Sequence, residues 1–431
     1  TGKPLGDKTR TKLLEAPENF YEYDILGVLK GHMVEKFYVD ADEECMNIRE
    51  FTALAKDLVV AGGVSASAGK NAAAGVVETM VNKTVVIAKL GANAVVRTGF
   101  QSGDTVDSAF AGNTPSDKEG ELSAEADSHS TLVLFGGAFS ATSSTGVGAT
   151  VLTLAYDKNV DAQILLSTTT PSNVHGNVNV TAEAEDLVAL VSVNFGVSTD
   201  TAANVGGNVL IFQDKVNANL TGNLIASGDV TVQAESIADL INAIASVSGG
   251  LGGTAVSGAA LVTYFQGTTT ASVGAKSQIS CADLKVLATS TADIDSDGVG
   301  LTASVGSAAV SGLVNIIVTS TETKAYIDNN SKVVANNIDV IATDNYDLLA
   351  VAASLSGGSN GVGVTVVVTV AKNTVLAYIG DNSTIQSAAL TVKAISNRNI
   401  RNYAGSVAAG AAAGTGVTVM TAVIGGMLDK D

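Results

Sequence analysis

Three aspartates at alternate positions, Asp293, Asp295 and Asp297, run into Gly298 as D-x-D-x-D-G. Carboxylates so spaced on a turn converge on a hard cation, and the glycine permits the bend. The twelfth position of an EF-hand loop counted from Asp293 falls on Ser304, which offers no bidentate carboxylate. The segment therefore reads as a solvated acidic turn, with calcium as the sharper alternative and the one cofactor the chain suggests. Asp40, Asp42, Glu43 and Glu44 form a second acidic cluster with the same two readings.

The two cysteines are Cys45 and Cys281. A disulfide needs Cα atoms within about 7 Å. If each repeat described below supplies two strand layers, these positions lie something like 40 Å apart along the stack. They are then free thiols, or ties between neighbouring subunits. Asn82, Asn179, Asn219, Asn329 and Asn382 each open an Asn-x-Ser/Thr glycosylation pattern. The pattern is short and arises by chance in a threonine-rich chain, but these copies lie near predicted corners, where an acceptor would be exposed.

Catalysis finds little support. His32, His129 and His175 are the only histidines, and none belongs to a metal-ligand or nucleophile pattern. The Gly-Leu-Gly-Gly run at 250–253 lacks the strand–helix context of a dinucleotide loop. We expect no catalytic residue and no organic cofactor.

The elements that would position these residues come from an internal repeat. Leu348 to Leu355 is an apolar run that breaks at Ser-Gly-Gly-Ser-Asn-Gly, and a second run covers Val362 to Ala371. Lys372-Asn373 reads as a corner, Thr374 to Ile379 as a third run, and Gly380-Asp381-Asn382-Ser383 as a turn. Val, Thr and Ile in the runs with Gly and Asn at the breaks are strand and turn chemistry. The closing segment LTVKAIS recurs around Val180, Val232, Val286, Val340 and Val392, at steps of 52, 54, 54 and 52 residues. Ala271, Ala325 and Ala377 open mid-unit segments in the same phase. Self-similarity on this scale signals a stacked, quasi-one-dimensional architecture.

We therefore expect an all-β chain, a repeat β-solenoid or stacked β-arches, with about 52–58 residues per copy. Its strands would be eight to ten residues, roughly 26 to 33 Å long, in about a dozen layers. The copies fall near 51–126, 127–184, 187–236, 237–290, 294–344 and 346–396, with a partial one at 402–431. Residues 93–120 are less regular and hold a polar loop at Gly112 to Asp117. Residues 1–50 stand apart, with seven Lys/Arg and eleven Asp/Glu, and read as a cap or a docking arm.

Composition narrows the function. Only 15% of residues are charged, against roughly 25% in an average domain, and 45 glycines accompany no tryptophan. A net charge of −18 argues against nucleic acid, which requires basic patches, and suits an exterior surface. The apolar span from Ala404 to Leu428 is too rich in Gly, Ala and Thr for a membrane helix, so no membrane span is expected.

Over most of residues 51–431, the pattern of Ala-Val-Ala-Ala-Ser, Gly-Gly, Gly-Val-Gly-Val-Thr-Val and Ala-Tyr-Ile-Gly-Asp resembles the repeats of large secreted β-solenoid proteins, the leukotoxin-like and filamentous adhesin proteins. In general character the chain is also similar to the amyloid-like subunits of archaeal tubular cell sheaths. The resemblance implies an extracellular, cell-surface location. It departs in the charged N-terminal segment and the short chain, which favour a small repeating subunit. The expected function is a structural subunit of a sheath, surface layer or fibre. Such a subunit joins copies of itself by strand stacking and edge pairing, with other envelope components as further candidate partners. The alternative is an adhesin or toxin-like passenger that binds cells or matrix.

Overall fold

A computed structural model describes residues 34–36, 40–42, 45–47, 50–99 and 120–425, with side chains from residue 53 onward. These residues are strand and turn, with no helix among them. Three short strands come first: β1 (Val34–Lys36), β2 (Asp40–Asp42) and β3 (Cys45–Asn47). β2 pairs antiparallel with β3, and β1 lies antiparallel on the edge of β4 (Glu50–Ala94). Every later pairing is parallel.

The chain then winds in coils. Each runs out along one long arm, reverses at an arch and returns along a second arm, and in the first six the second arm leads to a short third strand. The first coil is β4 with β5 (Arg97–Thr98), and the second is β6 (Leu122–Leu166) with β7 (Ser172–Val174). The third is β8 (Val178–Ser198), β9 (Thr201–Thr221) and β10 (Asn223–Ala226). The fourth is β11 (Val230–Gly250), β12 (Ala255–Val273) and β13 (Gln278–Ser280). The fifth is β14 (Asp283–Ser304), β15 (Ala308–Ile327) and β16 (Lys332–Val334). The sixth is β17 (Asn337–Ile379) with β18 (Thr384–Gln386), and the seventh is β19 (Ala389–Ile424). In β4, β6, β17 and β19 one strand carries both arms, and the arch of β17 shows as a register shift between Gly358 and Asn360.

Each arm lies on the same arm of the next coil. Val180, Val232, Val286, Val340 and Val392 form one column of lateral partners on the outbound arms. Ala271, Ala325 and Ala377 form another on the return arms. The short strands stack into a six-stranded parallel sheet of their own. The architecture is all-β, mostly parallel and solenoid-like.

Two expectations fail. Arms that stand as separate strands are 19 to 22 residues long in β11, β12, β14 and β15, about twice the eight to ten expected. Each copy also contributes one coil rather than two layers, so the stack has about half the expected dozen. Both differences have one cause: polar residues that read as corners lie within strands. Lys372 and Asn373 lie inside β17, which stays extended because Lys372 points to solvent and the inward Asn373 amide donates to Asp344. The acidic turn expected at Asp293–Gly298 is likewise strand, within β14. There Asp293, Asp295 and Asp297 alternate with the buried Ile294 and Ser296.

Two apolar cores lie between the arms. The first joins the starts of the outbound arms, the ends of the return arms and the short strands, through residues such as Val180, Ala218, Leu224 and Val286. The second fills mid-arm, with Leu132, Leu154, Leu190, Leu210 and Leu240. Columns of alanine let the facing arms approach closely, and each fully buried Leu or Val contributes about 1.5–3 kcal/mol. Tyr156, Phe212 and Phe265 stack down the second core with ring centroids 5.2 and 5.6 Å apart.

Candidate assembly surface

Near the arches the alternation of the arms turns inside out. In Val191-Ser192-Val193-Asn194-Phe195-Gly196-Val197-Ser198 the apolar residues point outward, and the serines and asparagine are buried. The inward polar groups bond across the arch. Asn204 Nδ2 donates to Ser248 Oγ at 2.8 Å, Asn242 Nδ2 to Thr263 Oγ1 at 3.0 Å, and Asn315 Nδ2 to the Ser296 carbonyl at 2.8 Å.

The outward residues fall into columns. Phe139, Phe195, Val247, Leu301, Leu355 and Val407 are successive lateral partners and form an apolar ridge along the stack. Phe195, Leu355 and Val407 are 43, 42 and 60% exposed. Two residues on, Gly249, Ala303, Gly357 and Ala409 make a parallel column of small side chains. Ridge and small column together bound a shallow apolar groove. The return arms present a second apolar face, with Val151, Val205, Ile211 and Val314 exposed.

The other half of each arm has the opposite polarity. Charges point outward and apolar groups inward. Asp239, Asp293 and Asp347 are lateral partners on one outward column. Partial burial raises the Asp239 and Asp293 carboxyls, and the neighbouring aspartates raise them further. Asp347 is held low instead, because Arg401 donates to it at 2.8 Å and Asn399 at 3.0 Å.

The residues singled out from sequence scatter over this frame. Asp293, Asp295 and Asp297 share one face of a strand. There alternate residues stand about 6.6 Å apart, so the carboxylates form a row rather than a cage. Among the described residues no group of three or more His, Cys, Asp or Glu side chains could hold a metal ion. The side chains of Asp40 and Asp42, with Glu43, Glu44, Cys45 and His32, lie outside the described residues, as do most of the 1–50 segment and the loop at 112–117. Cys281 follows β13 as a free, half-buried thiol packed on the first core. Burial, then Asp229 and Asp283, push its thiol up to about 12, which leaves little thiolate for exchange.

Of the five sequon asparagines, Asn329 and Asn382 lie exposed at turns, and Asn382 has a φ of 57°. Asn82, Asn179 and Asn219 lie in strands and are half-buried. Asn179 donates to Glu121 and Asn219 to Ser272. His129 sits between Glu185 and Asp127 on an outward face.

Sequence reasoning missed a buried polar belt between the two cores. It holds Ser130, Tyr156, Lys158, Asp186, Asp214, Tyr346 and Asp344. Tyr156 and Ser130 hydroxyls bond at 2.7 Å, and Tyr346 and Thr319 hydroxyls at 2.8 Å. The missed signal was parity: Lys158 stands an even number of residues from Leu152 and Leu154, which marks it as inward.

No protein-family model matches the chain, nor does any curated protein or solved structure. Among the described residues no helix is long and apolar enough to cross a membrane.

Proposed function

We propose that the chain is a structural subunit of an extracellular sheath, surface layer or fibre, a β-solenoid of about 52–58 residues per repeat that assembles with copies of itself. The single observation that carries this is the inverted half of the arms, where both outer faces are apolar while the interior is polar and hydrogen-bonded. Four outward columns about 6.6 Å apart, over seven coils about 4.8 Å apart, amount to about 900 Å² of sheet on the outbound face, apolar but for residues such as Asp297 in the column of Val191, Ala243 and Val351. A standard protein interface needs about 800 Å² from each partner.

A second copy fits this face better than other occupants. A ridge beside a parallel groove of the same period is complementary to itself, because one copy's ridge seats in the other's groove. Lipid would cover the apolar surface but makes no use of a relief repeating at the coil spacing. The acidic halves stay outside such a contact and face water, as the net charge of −18 requires.

Electron microscopy of the purified chain, with and without reductant, tests this. Regular filaments, tubes or sheets are expected. Dispersed single rods at high concentration would overturn it.

A further inference from the structure

Lys158 belongs to the return arm of the second coil, and Asp214 is its lateral partner on the third. Asp186 faces them from the outbound arm of the third coil. The side chains of Lys158 and Asp186 are both wholly buried, with Nζ 2.9 Å from Asp186 Oδ1. Nζ also donates to the Ser128 carbonyl at 2.9 Å. Asp214 Oδ2 accepts from Ser236 Oγ at 2.5 Å. Asp186 Oδ2 and Asp214 Oδ1 are buried without any partner.

An ion pair in such a place is costly. Removing both charges from water costs several kcal/mol per ion, and each unpartnered oxygen adds to that. One ammonium beside two carboxyls also leaves a negative charge unbalanced if both acids ionise. Burial raises both acids, with Lys158 opposing, so burial favours a proton on this pair. An amine, a carboxyl it touches and a second carboxyl on which burial favours a proton are the components of a condensation.

We propose that Lys158 and Asp186 join in an intramolecular amide, formed by the chain itself with Asp214 as proton carrier. The Lys158 ammonium gives a proton to the Asp186 carboxylate, leaving an amine and an acid. The amine nitrogen bonds to Cγ of Asp186. Asp214 gives its proton to the Asp186 hydroxyl, which leaves as water when the C–O bond breaks, and takes the second proton from nitrogen. Asp214 ends as it began, and no oxidant or co-reactant is consumed. The product is neutral, and the oxygen lost corresponds to the unpartnered one. The bond ties the return arm of one coil to the outbound arm of the next, and it is independent of assembly.

Intact-mass measurement on the full chain reads this directly. The expected mass is one water below that of the sequence, and trypsin leaves Lys158 uncut, so the loss lies in one peptide spanning 119–215. Lys158→Met restores the full mass expected for its sequence. Asp214→Asn leaves the chain folded by circular dichroism but unlinked. A wild-type chain at full mass and cut after Lys158 overturns the proposal, and so does a water loss mapping elsewhere. An Asp214→Asn chain that still links overturns the part given to Asp214.

Discussion

The two halves of each arm use one alternating pattern with opposite chemistry. In the half nearest the short strands, Val180, Ala182 and Ala184 point inward, while Glu183 and Glu185 point to solvent. Toward the arch, Ser192 and Asn194 are inward, and Val193 and Phe195 are outward. The first half folds because water leaves apolar surface. The second has little apolar interior, and each buried hydrogen bond nets only about 0.5–1.5 kcal/mol. Its interior also leaves Asn194, Ser192 and Asn208 with unpartnered atoms. Fold stability therefore resides in the two apolar cores, and the arch half turns its apolar side chains outward.

The largest expected effect tests this division. Phe212 is wholly buried and stacks between Tyr156 and Phe265. Phe212→Ala should cost about 3–5 kcal/mol, since it opens a cavity that neighbouring rings cannot fill. Leu355→Ala, on the outward ridge, should cost under about 1 kcal/mol. Thermal melting of both variants compares them. Equal losses would mean that the ridge is part of the fold's own core.

The next effect belongs to association. Leu301→Lys with Leu355→Lys places two charges on the ridge, where they cannot be desolvated in a contact between copies. Melting should be unchanged, and the concentration needed for assembly should rise at least about tenfold, corresponding to about 1.4 kcal/mol. Light scattering against concentration measures it. Assembly at the wild-type concentration would move the interface to another face.

Much of this fold was legible. Val, Thr and Ile runs with recurring Gly-rich breaks indicated stacked strands, and the break at Ser356 to Gly361 coincides with the arch of β17. The full length of the arms is not legible because polarity alone does not separate a corner from an inward polar residue. Lys372-Asn373 looks like a turn until Asp344 supplies the partner that holds Asn373 inside. That partner is 29 residues away, so local pattern does not reveal it. The apolar ridge was hidden for a related reason. Alternation between Val and Ser shows that one face is apolar, but not which face points inward.

A smaller effect comes from pH. Asp344 is buried in the belt, and burial raises its carboxyl above the usual 3.8, opposed by hydrogen bonds from Asn373 and Thr323. An acid with a raised folded value binds its proton more tightly when folded. Its stabilising contribution is complete below 3.8 and is lost as pH rises through the folded value. The melting temperature of the wild type should therefore fall across that window relative to Asp344→Asn, which does not titrate. Parallel melting curves for the two would show that Asp344 is solvated like a surface acid.

The smallest effect lies on the charged exterior. Lys83 bonds Asp157 at 2.8 Å across the first two coils, but these side chains are 67 and 49% exposed. Water screens such a pair, and holding two flexible side chains costs entropy, so Lys83→Ala should change stability by less than about 1 kcal/mol. Added salt should shrink even that difference. If the variant instead melted as low as Phe212→Ala, outer charges would be structural, and the contrast between an apolar-cored half and an outward-facing half would fail. If it melts with the wild type, the acidic columns serve to keep one surface in water while the opposite end of each arm is free to be covered.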